Sequence, residues 1–222
     1  MRHLLIATSN AGKVREFREM LDSPGGGRFA WDDLSRHPGF TPVEETGDTF
    51  LANACLKAEG YAKQFNTWAL ADDSGLEVDA LGGKPGVHSA RWAELNGTGK
   101  GDADNNKTLL AQIDHVPDER RTGRFVCVLA LADPAGRIIL TARDSVEGRL
   151  IRSARGSNGF GYDPLFFIEP LGRTTAELSP REKHEVSHRG KALRRLRALI
   201  ERSGLFVAGD KGTGRQGDKG TE

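Results

Sequence analysis

The sequence has little of what marks a disulfide-stabilised or membrane-spanning protein. Among its 222 residues there are two cysteines, Cys55 and Cys127, and neither belongs to a CxxC pair, so no zinc framework or disulfide scaffold is indicated. We interpret both as buried thiols in a reducing compartment. No apolar run reaches the length of a membrane span. The opening residues, MRHLLIATSN, have too short an apolar core for a signal peptide, so we expect a cytosolic protein without a membrane partner.

An excess of one charge sign is also missing. The chain has 32 Lys and Arg against 31 Asp and Glu, a net charge of +1. Such a balance provides no global field that would attract nucleic acid, and we expect no direct nucleic-acid partner. Glycine, in contrast, is abundant, and its 28 residues predict many tight turns or close backbone approaches.

Apolar periodicity predicts an α/β protein with a mixed sheet. Short apolar runs at 4–7 and 68–71 predict buried strands, and alternating patterns at 124–132 and 137–146 predict a hairpin around the turn DPAG. Helical spacing or capping signals predict helices after residue 10, at 51–65, at 106–113, after Ser179 and after Ser187. The helix at 51–65 should bury one apolar stripe, formed by Leu51, Cys55, Ala58, Ala62 and Phe65.

Three segments carry weaker or no periodic signals. Residues 29–43 show no clear pattern, and residues 22–28, DSPGGGR, predict a flexible turn. Residues 209–222 consist of glycine and polar residues only, and we predict a disordered tail there.

The turn at 8–13, TSNAGK, follows the first predicted strand and opens a helix. Free N–H groups at a helix start carry partial positive charge and suit a phosphate, Gly12 permits close approach to the backbone, and Lys13 adds a full charge. The GxxxxGK[ST] pattern of a Walker loop is absent. Taken alone, the turn fits an ordinary capped helix better than a phosphate site, and both interpretations stay open.

Two adjacent carboxylates, Asp72 and Asp73, stand where the apolar run 68–71 ends. We expect them at the carboxyl end of a buried strand, where α/β sheets place ligand sites. There they would hold Mg²⁺ or take a proton from water, or else open an Asx turn. A second acidic pair, Glu44 and Glu45, lies in a polar loop and by itself fits a solvated surface.

Two further stretches suit the recognition of a base. In GFGYDP, residues 159–164, Phe160 stands between two glycines, which fits either a stacking surface for a nucleobase or a glycine-rich turn with a core aromatic. His188 and Arg189 follow the cap Ser187, in a first turn where helix dipoles favour acids over bases. Together with Lys183 they indicate either an anionic partner or a solvated basic face.

With these residues in view, the chain closely resembles the inosine/xanthosine triphosphate pyrophosphatase family, whose members remove deaminated purine nucleotides. The resemblance rests on TSNAGK (8–13), EETGDTF (44–50), ADDSGLEVDALGGKPGVHSAR (71–91), GFGYDP (159–164) and EKHEVSHRGKAL (182–193), in the family's order and spacing. It covers roughly residues 1–203 and leaves out the tail from residue 209.

The resemblance implies an elongated mixed sheet flanked by helices, with two lobes and a central cleft, formed by residues 1–208 as a single domain that is usually a homodimer. It implies Mg²⁺-dependent hydrolysis of deaminated purine nucleoside triphosphates (ITP, dITP and XTP) to the monophosphate and pyrophosphate, which keeps them out of DNA and RNA. In the implied reaction, a metal-activated water attacks the α-phosphorus.

The resemblance also implies a role for each matching position. Asp73 resembles the catalytic acid and a metal ligand, and Glu45 resembles its metal partner, with the adjacent Glu44 as the open alternative. The implied substrate contacts are Thr8, Ser9, Asn10, Ala11, Gly12 and Lys13 for the phosphates, Ser74, the base-pocket wall Phe160, Gly161, Tyr162 and Asp163, and the purine-reading Lys183, His188 and Arg189. Further candidate contacts are Asn53, Lys57 and Asp72.

Two other functions remain compatible with the sequence. A nucleotide-binding protein without catalysis would tolerate loss of Asp73 but would still need Phe160 and Lys13. A phosphatase that cleaves a different bond would release orthophosphate instead of pyrophosphate.

Overall fold

The protein is described here by a computed structural model that covers residues 2–21 and 29–206. The predicted turn at 22–28 and the predicted tail at 209–222 lie outside the described residues. The strands are β1 (Arg2–Ile6), β2 (Phe29–Asp33), β3 (Trp68–Val78), β4 (Thr122–Ala132), β5 (Ile138–Leu150), β6 (Phe166–Ile168) and β7 (Arg173–Thr174). The α-helices are α1 (Ala11–Leu21), α2 (Phe50–Phe65), α3 (Trp92–Leu95), α4 (Asp102–Gln112), α5 (Pro180–Val186) and α6 (His188–Ser203).

The strands form one seven-stranded sheet in the order β2-β1-β3-β4-β5-β6-β7. Its β1 strand is parallel to both β2 and β3, and the remaining pairs are antiparallel. The predicted mixed α/β sheet is therefore confirmed, and so is the predicted hairpin, which β4 and β5 form. Sequence patterns missed β2, in the weakly patterned segment, and the very short β6 and β7, since two or three residues carry no periodic signal.

The long strands carry separate apolar cores on their two faces. Leu4 and Ile6 of β1 pack with Phe17 of α1 and Leu196 of α6. The alternate residue Leu5 packs on the other face, in the core to which α2 contributes. Towards the far ends of β3 and β5, a third core joins Leu76 and Leu150 to Leu109 of α4. The alternation of side chains along a strand explains why one sheet separates α2 from α1 and α6.

The acidic pair lies in the middle of a strand, not at the strand end that the apolar run predicts. β1 ends opposite Leu70, where Ile6 is paired, whereas β3 continues to Val78 alongside β4. Asp72 and Asp73 therefore stand just past the end of their parallel neighbour. The prediction of a strand end was wrong because the charges of this pair are balanced by distant residues that the local pattern does not reveal.

The predicted buried stripe of α2 is also partly wrong. Leu51 is 49% exposed, whereas Phe50 is buried. The buried face of the helix includes Asn53 and Lys57, and a pattern built on apolar residues alone misplaces such a face. Cys55 is only half-buried, while Cys127 is buried as expected, and both thiols are free.

The helix starts follow the predicted capping signals closely. Ser179 and Glu182 form a capping box at the start of α5, and the Ser187 side chain accepts a hydrogen bond from the N–H of Gly190 in α6. In α4 the helix begins at Asp102, four residues before the predicted start at 106. None of the helices in the described ranges is long and apolar enough to cross a membrane.

Candidate active site

A cleft of about 700 Å³ opens past the end of β1, where β3 continues without its parallel neighbour. Segments from across the whole chain meet there. The sequence-predicted site residues that line it are Thr8, Ser9, Asn10, Lys13, Glu44, Glu45, Lys57, Asp73, Ser74, Phe160, Gly161, Tyr162, Asp163, Lys183, His188 and Arg189. A cleft of this size is typical of a small-molecule site.

The other predicted site residues lie beside or behind the cleft. Ala11 and Gly12 form the first turn of α1, and Asp72 is buried behind the lining. Asn53 is also buried, and its Oδ1 accepts a hydrogen bond from the N–H of Gly47 at 2.8 Å. Asn53 thereby holds the acidic loop of Glu44 and Glu45 against α2.

The turn that opens α1 is held by its own side chains. The Asn10 side chain accepts a hydrogen bond from the N–H of Lys13 at 3.1 Å, and Thr8 Oγ1 accepts one from the N–H of Asn10 at 3.2 Å. Gly12 makes room for an aromatic ring here, since a Cβ on it would lie 2.6 Å from Phe160. Gly12 was predicted to let a ligand approach the backbone, and in the structure it makes room for the ring of Phe160.

Asp72 is the centre of a buried charge network on the α1 and α6 face of β3. It forms ion pairs with Lys13 and with Arg189, whose Nε lies 3.2 Å from Asp72 Oδ2. Ser74 and Cys127 donate further hydrogen bonds to its carboxylate, at 3.0 Å and 3.1 Å. Burial alone would raise the pKa of Asp72, but Lys13 and Arg189 hold it well below its usual range, so the side chain is ionised.

Asp73 faces the opposite side of the strand, towards α2. Lys57 Nζ lies 2.9 Å from Asp73 Oδ1 and 3.1 Å from Glu45 Oε2, so one lysine joins the two carboxylates. Burial raises the pKa of Asp73 to about 6, with Glu45 acting in the same direction against Lys57 and Lys13. The Oδ2 atom of Asp73 is buried and has no hydrogen-bond partner among the described residues. This oxygen is therefore free to accept a proton or to coordinate a cation.

Glu16 of α1 is a buried residue of the network that the sequence prediction missed. Its carboxylate pairs with Lys183 at 2.7 Å and with Arg189. Burial alone would raise the pKa of Glu16, but these two cations lower it to about 2. Its position three residues after Lys13 puts it on the same helix face as that lysine, and this spacing is the sequence signal that could have found it.

Lys183, His188 and Arg189 are buried, so the interpretation of a solvated basic face is wrong for these three residues. Lys183 and Arg189 are 5% and 2% exposed and are paired with carboxylates. Burial lowers the pKa of His188 well below its usual value, so the ring is neutral. It stacks on Phe125 at a centroid distance of 4.9 Å, and its Nδ1 has no hydrogen-bond partner among the described residues.

Phe160 forms an aromatic wall next to these cations. Lys183 Nζ lies 5.1 Å and Arg189 Cζ 5.6 Å from the centre of its ring. Asp163 is buried and pairs with Lys183, and it also accepts a hydrogen bond from the N–H of Phe160 at 2.8 Å. Tyr162 is buried too, and it donates a hydrogen bond to the backbone oxygen of Ser89 at 2.9 Å. Both alternatives for this stretch thus hold in part, because Tyr162 belongs to the core and Phe160 faces the cleft.

Five cationic and five acidic side chains line the cleft, and Glu16 and Asp72 lie directly behind it. The cleft therefore brings no excess positive charge to an anionic ligand. Arg91, which the sequence prediction also missed, is exposed and has no ion-pair partner among the described residues. Its charge is available to a ligand, whereas those of Lys13, Lys57, Lys183 and Arg189 are shared with carboxylates.

Within the described ranges, no group of three or more His, Cys, Asp or Glu side chains is arranged to hold a metal ion by itself. Glu45 and Asp73 nevertheless fit a shared Mg²⁺, because both line the cleft and Asp73 Oδ2 is unpartnered. Mg²⁺ in phosphate chemistry needs only one or two carboxylates, with water and substrate phosphates as the other ligands.

The fold and the charged cleft define an α/β protein with a small-molecule site. Residues 4–199 match the Ham1 family, and the chain belongs to that family. It is 48% identical over 199 residues to the dITP/XTP pyrophosphatase of Desulforamulus reducens, covering 90% of this chain and 96% of that protein. It is 49% identical over 199 residues to the dITP/XTP pyrophosphatase of Exiguobacterium sibiricum, covering 89% and 96%.

Solved structures agree with this family membership. The HAM1 protein from Coxiella burnetii is 37% identical with a TM-score of 0.79, and the match covers 91% of this chain and 100% of that one. The Staphylococcus aureus Ham1 protein is also 37% identical, with a TM-score of 0.78 and the same coverage.

Proposed function

We propose that the protein hydrolyses deaminated purine nucleoside triphosphates, namely dITP, ITP and XTP, to the monophosphate and pyrophosphate. The observation that carries the proposal is the convergence in one cleft of a helix start with Lys13, the acid Asp73 and the aromatic wall Phe160. The names of the related dITP/XTP pyrophosphatases support the same substrate class.

The helix start and the aromatic wall suit opposite ends of such a substrate. The turn from Thr8 to Lys13 offers N–H groups and a lysine to the phosphates. Phe160 offers its ring to the base, beside Lys183 and Arg189. Asp73 of β3 lines the same cleft, and we assign it to the bond that is to be cleaved.

Asp73 has the properties of a general base. Its pKa of about 6 leaves it ionised at neutral pH while keeping it basic enough to accept a proton. In the proposed step, a water oxygen forms a bond to the α-phosphorus and its proton passes to the Asp73 carboxylate. The bond from the α-phosphorus to the bridging oxygen breaks, and the leaving group is pyrophosphate. Lys57 offsets the charge on Asp73 and Glu45 and keeps both carboxylates oriented.

Glu45 and Asp73 would hold a Mg²⁺ ion. When bound, the ion supplies positive charge that offsets the phosphates and polarises their oxygens. The equal numbers of cationic and acidic side chains in the cleft lining support a need for Mg²⁺, because without the ion a triphosphate would enter a site with no surplus of positive charge.

Discrimination against adenine follows from the chemistry of Lys183 and Arg189. Both side chains donate hydrogen bonds and accept none, so they suit a 6-oxo group and leave a 6-amino group unpaired. Each unpaired buried polar group costs about 1–3 kcal/mol, so two such contacts would slow ATP by about a hundredfold or more.

The test is a panel of dITP, XTP, dGTP and dATP with Mg²⁺, in which pyrophosphate and orthophosphate are measured separately. We expect pyrophosphate from dITP and XTP, with dATP about a hundredfold slower. Release of orthophosphate would contradict attack at the α-phosphorus. Tight dITP binding without turnover would instead favour a nucleotide-binding protein.

We also propose that residues 1–208 form one two-lobed domain, because β3, β4 and β5 each contribute to more than one of the apolar cores. Limited proteolysis that yields one protected fragment would support this. The implied homodimer and the cytosolic location stay predictions, and sedimentation analysis would decide the first of them.

A further inference from the structure

The backbone of Gly161, next to the aromatic wall Phe160, is held at both of its polar groups by α4. Its N–H donates to Asp102 Oδ2 at 2.7 Å, and its C=O accepts from Asn106 Nδ2 at 3.0 Å. Asp102 and Asn106 are four residues apart and so lie on one face of the helix. We name these two side chains and their bonds the Gly161 clamp.

The clamp acts at a residue whose backbone needs restraint. Gly161 has a φ of +62°, in the left-handed region, and a glycine there loses more conformational freedom on ordering than any other residue. Two hydrogen bonds with side chains of α4 therefore fix the backbone of a residue that would otherwise sample several conformations. The side chain that gains from this is the preceding Phe160.

Phe160 is also restrained from its other side. Its N–H donates to Asp163, which pairs with Lys183. The Gly161 clamp and Asp163 thus hold the aromatic residue between them, and its ring lies over Gly12 of α1.

The same turn of α4 holds a second segment of the cleft lining, residues 90–93. Asn105 accepts a hydrogen bond from the N–H of Ala93 at 2.8 Å and donates one to the C=O of Ala90 at 3.1 Å. One helical turn therefore ties together residues 90–93 and the loop that carries Phe160. Both Asp102 and Asn105 also line the cleft.

We propose that Asp102 and Asn106 are positioning residues that hold Phe160 ready to stack on the purine base. The inference rests on the proposed function, because it assigns the aromatic wall to base binding. Preorganisation of this kind improves binding by removing the entropy cost of ordering the loop when the ligand arrives. The clamp should accordingly change KM much more than kcat, since Asp73 lies on a separate element.

Asp104 provides a matched control for Asp102. Both acids lie in the first turn of α4, and each accepts one hydrogen bond from a backbone N–H. The Asp104 bond goes to Lys100, outside the loop of Phe160, and Asp104 does not line the cleft. Asp104 also pairs with Lys107 at 3.5 Å, so Asp104→Ala removes at least as many contacts from the start of the helix as Asp102→Ala, but only Asp102→Ala breaks the clamp.

The first measurement needs no turnover. Amide hydrogen exchange at Gly161 should be faster in Asp102→Ala than in the wild type and unchanged in Asp104→Ala. Asp102→Asn keeps an acceptor oxygen and should restore slow exchange. Equal exchange in Asp102→Ala and Asp104→Ala would overturn the clamp, even if the wild type hydrolyses no nucleotide.

The second measurement is steady-state kinetics with dITP. Asp102→Ala should raise KM about tenfold, the cost of one hydrogen bond to a charged group, with kcat within about twofold. Asp102→Asn should recover most of the loss, and Asp104→Ala should match the wild type. A fall in kcat with unchanged KM would overturn the positioning role. Absence of pyrophosphate release by the wild type would instead count against the proposed function. In that case the binding of inosine monophosphate decides the inference, and its Kd should be about tenfold higher in Asp102→Ala than in the wild type.

Discussion

Asp72 and Asp73 are neighbours in one strand, yet the two faces of β3 give them opposite electrostatic environments. Asp72 is surrounded by Lys13 and Arg189, which hold its pKa well below the usual range despite burial. For Asp73 burial prevails over Lys57, and its pKa rises to about 6. One carboxylate is thus paired with two cations, while the other keeps an oxygen that has no hydrogen-bond partner among the described residues. Each of the following changes tests one side of this contrast.

The largest effect is expected from Asp73→Asn, which removes the proton acceptor. The kcat for dITP should fall by about a thousandfold or more. General-base assistance contributes a factor of about 10²–10⁴, and the proposed Mg²⁺ site of Glu45 and Asp73 also loses one of its two carboxylates. The folded-state pKa of about 6 lies above the ordinary value of 3.8, so this group stabilises the fold when protonated, and that contribution is lost as pH rises through about 6. The neutral Asn should therefore give an equal or higher Tm well above that pH. Near-normal turnover would contradict the role of Asp73.

Asp72→Asn should instead act on stability. Loss of one partner from a buried ion pair costs about 3–5 kcal/mol, because Lys13 loses its carboxylate partner and Arg189 keeps only Glu16. The free energy of unfolding, measured with urea at neutral pH, should fall by that amount. Asp79→Asn, which neutralises a partly exposed acid just after β3, should change it by less than about 1 kcal/mol. If Asp72→Asn and Asp73→Asn had the same effect on stability, the contrast between the two faces would be wrong.

Glu45→Gln and Glu44→Gln separate the two acids of the loop. Glu45 shares Lys57 with Asp73, whereas Glu44 has no ion pair among the described residues. The Mg²⁺ concentration for half-maximal activity should rise by at least about 10–100-fold in Glu45→Gln, because loss of a residue that only supports a ligand already has that effect and Glu45 is a proposed ligand. In Glu44→Gln it should change by less than about threefold. A larger effect of Glu44→Gln would make Glu44 the partner of Asp73.

The pH profile of kcat/KM tests the raised pKa directly. A general base must be deprotonated in the free enzyme, so kcat/KM should fall about tenfold per pH unit below the pKa of Asp73, which is about 6 without Mg²⁺ and lower when the ion is bound. An acidic limb well above pH 6 would show that Asp73 is not the base. Unfolding monitored over the same pH range provides the control, because acid denaturation would also lower the rate.

Arg91→Ala should have the smallest effect. Its exposed guanidinium is held by no carboxylate in the described part of the chain, so it is free to meet the anionic substrate. Its removal should raise KM for dITP about threefold, a typical value for an exposed charge pair, and the rise should shrink at high salt. An effect that is independent of salt would indicate packing of the side chain instead of charge.

Local signals in the sequence predicted much of the fold. The caps at Ser179 and Ser187 and the turn DPAG depend on hydrogen bonds and backbone angles within a few residues, and all three were confirmed. The mixed sheet followed from the order of these elements. The stripe of α2 and the extent of β3 were misjudged, because their buried polar residues pair with partners elsewhere in the chain.

The candidate site was recognised from its motifs and not from its geometry. Most of the residues assigned by resemblance line one cleft, but Asn53 and Asp72 lie beside and behind it. Glu16 and Asp102 had no motif of their own, and their importance appears only through the hydrogen bonds they make to Arg189 and Gly161. The roles assigned to these residues stay proposals until the variants are measured.

The sequence by itself determined where most helices begin, how the hairpin turns and which family the motifs resemble, because these depend on short-range chemistry. Only the tertiary structure decided the electrostatic environment of the two adjacent aspartates, which holds the pKa of Asp72 well below its usual range and raises that of Asp73 to about 6. Glu16 and Arg189 are 173 residues apart, and Asp72 and Arg189 are 117 apart. A carboxylate's pKa depends on the charges and the water within a few ångströms of it, and only folding brings those groups together.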